Sequence, residues 1–271
     1  MSYGSAPATP RPAATVMVLR PSADGFQVFM VRRHGASKFA ADFYVFPGGS
    51  IRSDDRVSET QAQALGLDPS ALRALLIEHD DPFADEGDGG LSLWIAALRE
   101  LFEEAGLLLA EDEVGRLLDL SAPRSATRFQ RLRNQVQENR LSLAELAAAE
   151  RLHLAADRLV YFSRWITPAG SPRRFDTRFF VAELPSGQTA AHCQIETTAG
   201  LWISPAEALC RHERDDFPMM FVTSEHVRRL AEFDEAEALL RFAREKPIRA
   251  ILPDLDPRNE PRLTAEQRPP W

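Results

Sequence analysis

Lysine is nearly absent: of 32 basic side chains in 271 residues, only Lys38 and Lys246 are lysines. The imbalance reflects coding bias more than function, although guanidinium groups suit bidentate phosphate contacts. Positive charge is also short overall. A net charge of -8 excludes a general grip on nucleic acid, which rests on clustered basic residues, so any anionic partner has to be met locally. Cysteine is limited to Cys193 and Cys210, without a C-x-x-C spacing, which excludes a disulfide framework and fits a reducing compartment. No apolar run approaches the roughly 18 residues of a membrane span, and "MSYGSAPATPRPA" lacks a basic region followed by an apolar run. The expectation is a cytoplasmic protein with no membrane partner. Internal repeats are missing, and the histidines show no ligand spacing, so zinc is not expected.

With 44% hydrophobic residues the chain can bury a substantial core, and one elaborated domain is expected. Residues 1–12 read as loose. "AATVMVLR" and "FQVFMVRR" read as strands joined through a turn at Pro21 to Gly25, and "FYVFPGGSI" as a third strand entering a tight Pro47-Gly48-Gly49 turn. Residues 56–79 read as two helical pieces divided at Gly66 and Pro69, with Leu65, Leu72, Leu75 and Leu76 inward. "EHDDPFADEGDGG" fails the EF-hand spacing and reads as a solvated, mobile connector. Residues 111–157 read as a helical insert, followed by strands at "LVYFSRWITP", "RRFDTRFFVAEL" and "GLWIS". Helices are expected at "AEALCRHE", near 224–233 and at 235–245, then a strand-like "IRAILP".

The chemistry gathers in "AALRELFEEAGL", residues 96–107. On a helix Glu100, Glu103 and Glu104 stand at i, i+3 and i+4, opposite a stripe of Leu98, Leu101, Phe102 and Ala105. Like charges at that spacing destabilise a bare helix by a few tenths of a kcal/mol per pair; a bound cation reverses the sign. Gly106 supplies a left-handed C-terminal stop. Carboxylates beside a glycine turn with free carbonyls suit a hard ion, Mg2+ or Mn2+, and such ions share their shell with substrate phosphates.

"GGSIRSDD" with "RELFEEAGL" resembles the signature box of the Nudix hydrolases, G-x5-E-x7-R-E-U-x-E-E-x-G-U with U apolar. Gly49 matches the first glycine, and Arg99, Glu100, Leu101, Glu103, Glu104, Gly106 and Leu107 match the second half. Asp55 stands where the first half wants glutamate, and 49 residues, 50–98, lie where the pattern has thirteen. That split, with "RRHGASKFAADFYVFPGG" and "WITPAGSPRRFDTRFFVA", resembles the branch containing the peroxisomal-type coenzyme A diphosphatase and its bacterial relatives.

The resemblance implies an α/β fold, a Nudix α/β/α sandwich with a mixed sheet. It spans residues 9–209 with insertions at about 56–90 and 111–157, and 210–271 form a C-terminal helical extension packed on the same domain. By matching positions, Glu100, Glu103 and Glu104 are metal ligands, with the Gly49 carbonyl and Asp55 as further ones, and Arg99 orients the glutamates through a salt bridge. The implied reaction is metal-dependent hydrolysis of a nucleoside diphosphate derivative, coenzyme A or acyl-coenzyme A, with ADP-ribose or NADH as alternative substrates. A non-catalytic nucleotide-sensing module is the alternative of a different class. Glu103, Glu104 or Glu196 is the expected general base. Arg33 and Lys38, just before the glycine turn, are expected substrate contacts. On "RRFDTRFF", Arg174, Asp176 and Arg178 share a face, where the arginines serve either as a phosphate clamp or in ion pairs. The partner is then a nucleoside diphosphate-linked small molecule, and a homodimer stays open.

Overall fold

The computed structural model describes residues 8–35, 41–193, 197–258 and 260–267. Strand β1 (Arg11–Ser22) turns back into β2 (Gly25–Arg33), pairing Leu19 with Val28 and Ser22 with Gly25. The turn residues fall where the sequence reading puts them, although β1 already starts at Arg11, inside the stretch read as loose. The third expected strand divides into β3 (Tyr44–Val45), which pairs with β2, and β4 (Gly48–Ser50), which pairs with β1.

Later strands complete the sheet: β7 (Val160–Ile166), β8 (Phe175–Glu183), β9 (Thr197–Ile203) and β10 (Ala250–Ile251). The order is β10-β7-β8-β1-β2-β3, with β4 on β1 and β9 on β2. β1 runs parallel to β8 and antiparallel to β2, so the sheet is mixed. A short separate pair, β5 (Ala110–Glu111) and β6 (His153–Leu154), ties the ends of the second insert together.

Both faces of the central strand are covered, which is why "AATVMVL" reads as a continuous apolar run rather than an alternating one. Val16 and Val18 face one buried cluster, Met17 and Leu19 the other. On the first face lie α1 (Glu59–Ala64), α2 (Pro69–Glu78), α3 (Leu91–Ala105), α4 (Pro123–Gln137) and α5 (Leu143–Glu150). The second face is closed by α6 (Pro205–Glu213), α7 (Phe221–Leu230) and α8 (Ala236–Glu245) through Ala208, Val227, Leu230, Leu239 and Leu240. The architecture is an α/β/α sandwich, with the C-terminal helices forming its third layer.

The acidic connector is not a solvated loop. Pro82–Asp85 is a 3-10 turn that buries Phe83 and Ala84, and Asp81 is itself buried. The reason lies 97 residues away, where Arg178 at the centre of β8 donates from Nε to Asp81 Oδ2 at 2.9 Å and from a second nitrogen to Oδ1 at 2.5 Å. Tyr161 Oη and the Phe83 N–H also donate to this carboxylate. An acid accepting four such hydrogen bonds is held far better as an anion inside the fold than in an unfolded chain.

Candidate functional site

Helix α3 carries the site, and glycines bracket it. Gly90 at φ +87° precedes the first turn and Gly106 at φ +69° follows the last, so the helix stops at Ala105. All fifteen of its residues are buried, the glutamates included. The acidic face is therefore closed over, by β4 and its following loop on one side and by α4 beyond the helix end.

Arg99 organises the carboxylates. It is fully buried and donates from Nε to Asp55 Oδ1 at 2.7 Å and from one terminal nitrogen to Asp55 Oδ2 at 2.9 Å and the Ser50 carbonyl at 3.1 Å. Its other terminal nitrogen reaches Glu100 Oε1 at 2.7 Å and Glu103 Oε1 at 3.2 Å. Burial alone would pull this guanidinium down; hydrogen bonding to Asp55 and the charges of Glu100, Asp55 and Glu103 overcome it and hold it firmly protonated.

Asp55 thus steadies the arginine. Both of its oxygens accept from Arg99, and Oδ2 also accepts the Arg52 N–H at 2.7 Å, so the carboxylate expected as an ion ligand is engaged here by the arginine and the loop. The shorter side chain reaches because the Ser53–Asp55 turn folds it back onto the loop.

The glycine turn meets the glutamates directly. The Gly48 N–H donates to Glu104 Oε2 at 2.9 Å. A Cβ on Gly49 would sit 2.4 Å from Glu100 Oε1, so only glycine allows strand and carboxylate to approach this closely. Burial, and then the neighbouring Glu103 charge against the pull of Arg99, raises the Glu100 carboxyl to about 6. Burial also raises Glu103.

Sequence reasoning missed three contributors. Arg52 forks both oxygens of Glu103, at 2.8 Å each. Arg133 donates from Nε at 3.0 Å and a terminal nitrogen at 2.9 Å to the Glu103 carbonyl, and reaches the Ala191 carbonyl at 2.8 Å. Gln137 adds a third donor to the Glu103 carbonyl at 2.5 Å. That carbonyl is in the last turn of α3, where intrahelical donors run out; α4 supplies them. A signal existed for Arg133, which lies on the buried stripe of α4 with Phe129 and Val136. None existed for Arg52.

The structure separates the remaining expected contacts. Lys38 and Glu196 lie outside the described residues. Arg33 ends β2 beside β3, and its Nε is buried with no hydrogen-bond partner among the described residues. Arg178 is no phosphate clamp, because its fork is closed on buried Asp81 and another of its nitrogens donates to the Asp176 carbonyl at 3.0 Å. Arg174 lies just before β8, where its Nε donates to the Thr167 carbonyl and a terminal nitrogen to the Ala8 carbonyl, both at 2.9 Å, tying the β7–β8 connection to the N-terminal segment.

Among the described residues, no three His, Cys, Asp or Glu side chains stand grouped to hold a metal. Arg99 and Arg52 fill lone pairs of Glu103, and Arg99 one of Glu100. The donor set still has the chemistry of a hard-cation site: three carboxylates on one turn facing a glycine strand, two of them with their charged form penalised by burial.

A mixed sheet between helical layers, with a glycine strand held against a helix ending in "RELFEEAG", defines the Nudix fold. The chain aligns with the crystal structure of a Nudix hydrolase from Alicyclobacillus acidocaldarius at a TM-score of 0.66 and 25% identity, covering 86% of this chain and 96% of that one. The family model described as the NUDT19 Nudix domain matches residues 3–229, and the chain belongs to that family. The acyl-coenzyme A diphosphatase NUDT19 of Gallus gallus is 29% identical over 252 residues, covering 82% of this chain and 66% of the relative. Its Homo sapiens counterpart is 26% identical over 250 residues, covering 82% and 65%. The chain thus spans just under two-thirds of the length of these curated relatives.

Proposed function

We propose that this protein hydrolyses the diphosphate bond of coenzyme A or an acyl-coenzyme A, using Mg2+ or Mn2+ held by Glu100, Glu103, Glu104 and the Gly49 carbonyl. The observation that carries the reading is the Arg99 lock. Five hydrogen bonds fix the turn bearing the three glutamates to the glycine strand and to Asp55, and a merely charged helix face would not need its acids buried and aimed this way.

When bound, the ions would neutralise diphosphate charge and lower the pKa of an attacking water. The chain's own residues do the rest. Arg99 orients Glu100 and Glu103 and opposes the burial that raises them, and Glu103, Glu104 or Glu196 takes the proton of the water. Arg33, whose buried Nε has no partner among the described residues, and Lys38 meet the phosphates. The names of the relatives support coenzyme A over ADP-ribose or NADH. The thiols, Cys193 buried and Cys210 exposed with neither in a disulfide, support a reducing compartment such as the cytoplasm. No helix among the described residues is long and apolar enough to cross a membrane.

The test is a panel of coenzyme A, acetyl-coenzyme A, ADP-ribose and NADH with Mg2+ and with Mn2+, comparing wild type and Glu103→Gln. Cleavage of the coenzyme A compounds, abolished in the variant, is expected. Strong preference for ADP-ribose would sink the substrate assignment alone, and binding without turnover of any compound would establish a sensor.

A further inference from the structure

We infer that Arg52 is an exchangeable counter-ion: it holds Glu103 while the site is free of metal, and turns onto a phosphate oxygen of the substrate once an ion takes that carboxylate. The inference rests on the ion-binding reading of the glutamates and adds a residue outside the box matches.

Lone pairs carry the argument. A carboxylate offers about four acceptor positions, two per oxygen. Oε1 of Glu103 already accepts from both Arg52 and Arg99, and Oε2 from Arg52. Only one position, on Oε2 beside the Arg52 charge, is left, so an ion that takes Oε1 or both oxygens has to displace a guanidinium. Arg99 cannot leave, being fully buried and bonded to Asp55, Ser50 and Glu100 as well. Arg52 can. Its side chain is 29% exposed, and its only side-chain hydrogen bonds among the described residues are the two to Glu103.

Its backbone is meanwhile anchored. The Arg52 N–H is held by Asp55 Oδ2 at 2.7 Å, so the side chain can swing while the loop stays in place. A planar fork that matches a carboxylate matches a phosphate equally well, and Arg52 is tethered, partly exposed, beside the Glu103 carboxylate proposed to hold the ion. Arg133, the other cation beside the glutamates, points its donors at main-chain carbonyls and is not free to exchange. The consequence is coupling: ion occupancy releases the group that binds substrate, so metal binds before nucleotide.

The experiment titrates Mn2+ against wild type, Arg52→Gln and Arg52→Lys by the EPR signal of the free ion. It then measures affinity for α,β-methylene-ADP, a non-cleavable diphosphate, with and without saturating Mn2+; far-UV circular dichroism checks that each variant is folded. Arg52→Gln is expected to bind Mn2+ about tenfold tighter than wild type, the size of one charge-assisted contact removed from competition, with Arg52→Lys between them. At saturating Mn2+ it should bind the analogue about tenfold more weakly than wild type. Without Mn2+, wild type should bind the analogue as poorly as the glutamine variant. Unchanged or weaker Mn2+ binding by Arg52→Gln, or undiminished analogue affinity, overturns the exchange. Wild type that takes up no Mn2+ at millimolar concentration overturns the metal reading itself, a separate and recognisable outcome.

Discussion

Replacing Asp81 with asparagine removes a charge from the interior and leaves its partner behind. Arg178 is fully buried and has its fork closed on both Asp81 oxygens, at 2.9 and 2.5 Å; Tyr161 Oη donates to the same carboxylate at 2.9 Å. Breaking a buried pair by deleting one member costs about 3–5 kcal/mol, because the other charge is stranded. Asp176 also touches Arg178, at 3.2 Å, so the lower end, about 3 kcal/mol, is expected. Against a total stability of roughly 5–15 kcal/mol that is severe, and at about 2–4 °C per kcal/mol it lowers Tm by roughly 10 °C. Urea unfolding followed by circular dichroism measures it. Adding Arg178→Met to Asp81→Asn should recover part of the loss, since the stranded charge is then gone. A loss below about 1 kcal/mol would refute the reasoning. So would an Arg178→Lys variant of unchanged stability with a raised KM, which would restore the phosphate clamp.

Gly49→Ala drives a methyl to 2.4 Å from Glu100 Oε1; displacing that carboxylate by about an ångström should lower kcat about a hundredfold with little change in the urea midpoint, which steady-state kinetics beside denaturation would separate. Arg133→Met strips two of the three donors from the Glu103 carbonyl, an expected loss of about 1–3 kcal/mol in urea unfolding together with weaker Mn2+ binding; Arg133→Lys should not rescue it, because one amine cannot replace a fork spanning Glu103 and Ala191. His226 is buried neutral, with Nδ1–H donating to the Val222 carbonyl and Nε2 accepting from Ser163, and burial lowers it to about 3 from 6.5. Its contribution is present above 6.5 and is lost as pH falls from there toward 3, where the unfolded chain binds the extra proton; His226→Gln should flatten that limb of a stability-against-pH curve, and an unaltered limb would exclude His226 as its source.

How far the sequence can be read depends on the range of the interactions. The β1–β2 hairpin was legible because Pro21 to Gly25 encode the turn locally, and α3 because its periodicity, its glycine stop and its box residues lie within a few turns. The role of Asp81 was not legible. It sits among acids and glycines that look solvated, and its partner is 97 residues away. Asp176 and Arg178 lie in β8 at the alternate spacing expected, while Arg174 falls just before the strand, and alternation cannot say whether a face meets solvent or an insertion from elsewhere. The glutamates were placed on one face correctly, while their burial depended on β4 and α4, which no local pattern assigns to them.

That distinction explains what the long interruption of the signature box does. An insertion between Gly49 and Arg99 lengthens the loop that must close for the glycine strand to meet the helix, and loop closure costs grow only slowly with length, so the interruption is tolerable if the ends are held. They are held at three points: Asp55 on Arg99 near the start, the Asp81–Arg178 pair that fixes the insert to the sheet, and Gly90, whose left-handed backbone starts α3. The second insert works at the opposite end of the same helix, where Arg133 and Gln137 take up the Glu103 carbonyl. Both insertions therefore act on the geometry of three carboxylates. One sets where the helix begins relative to the glycine strand, and the other fixes how its last turn ends, so the inserted residues belong to the site's framework as much as the box does.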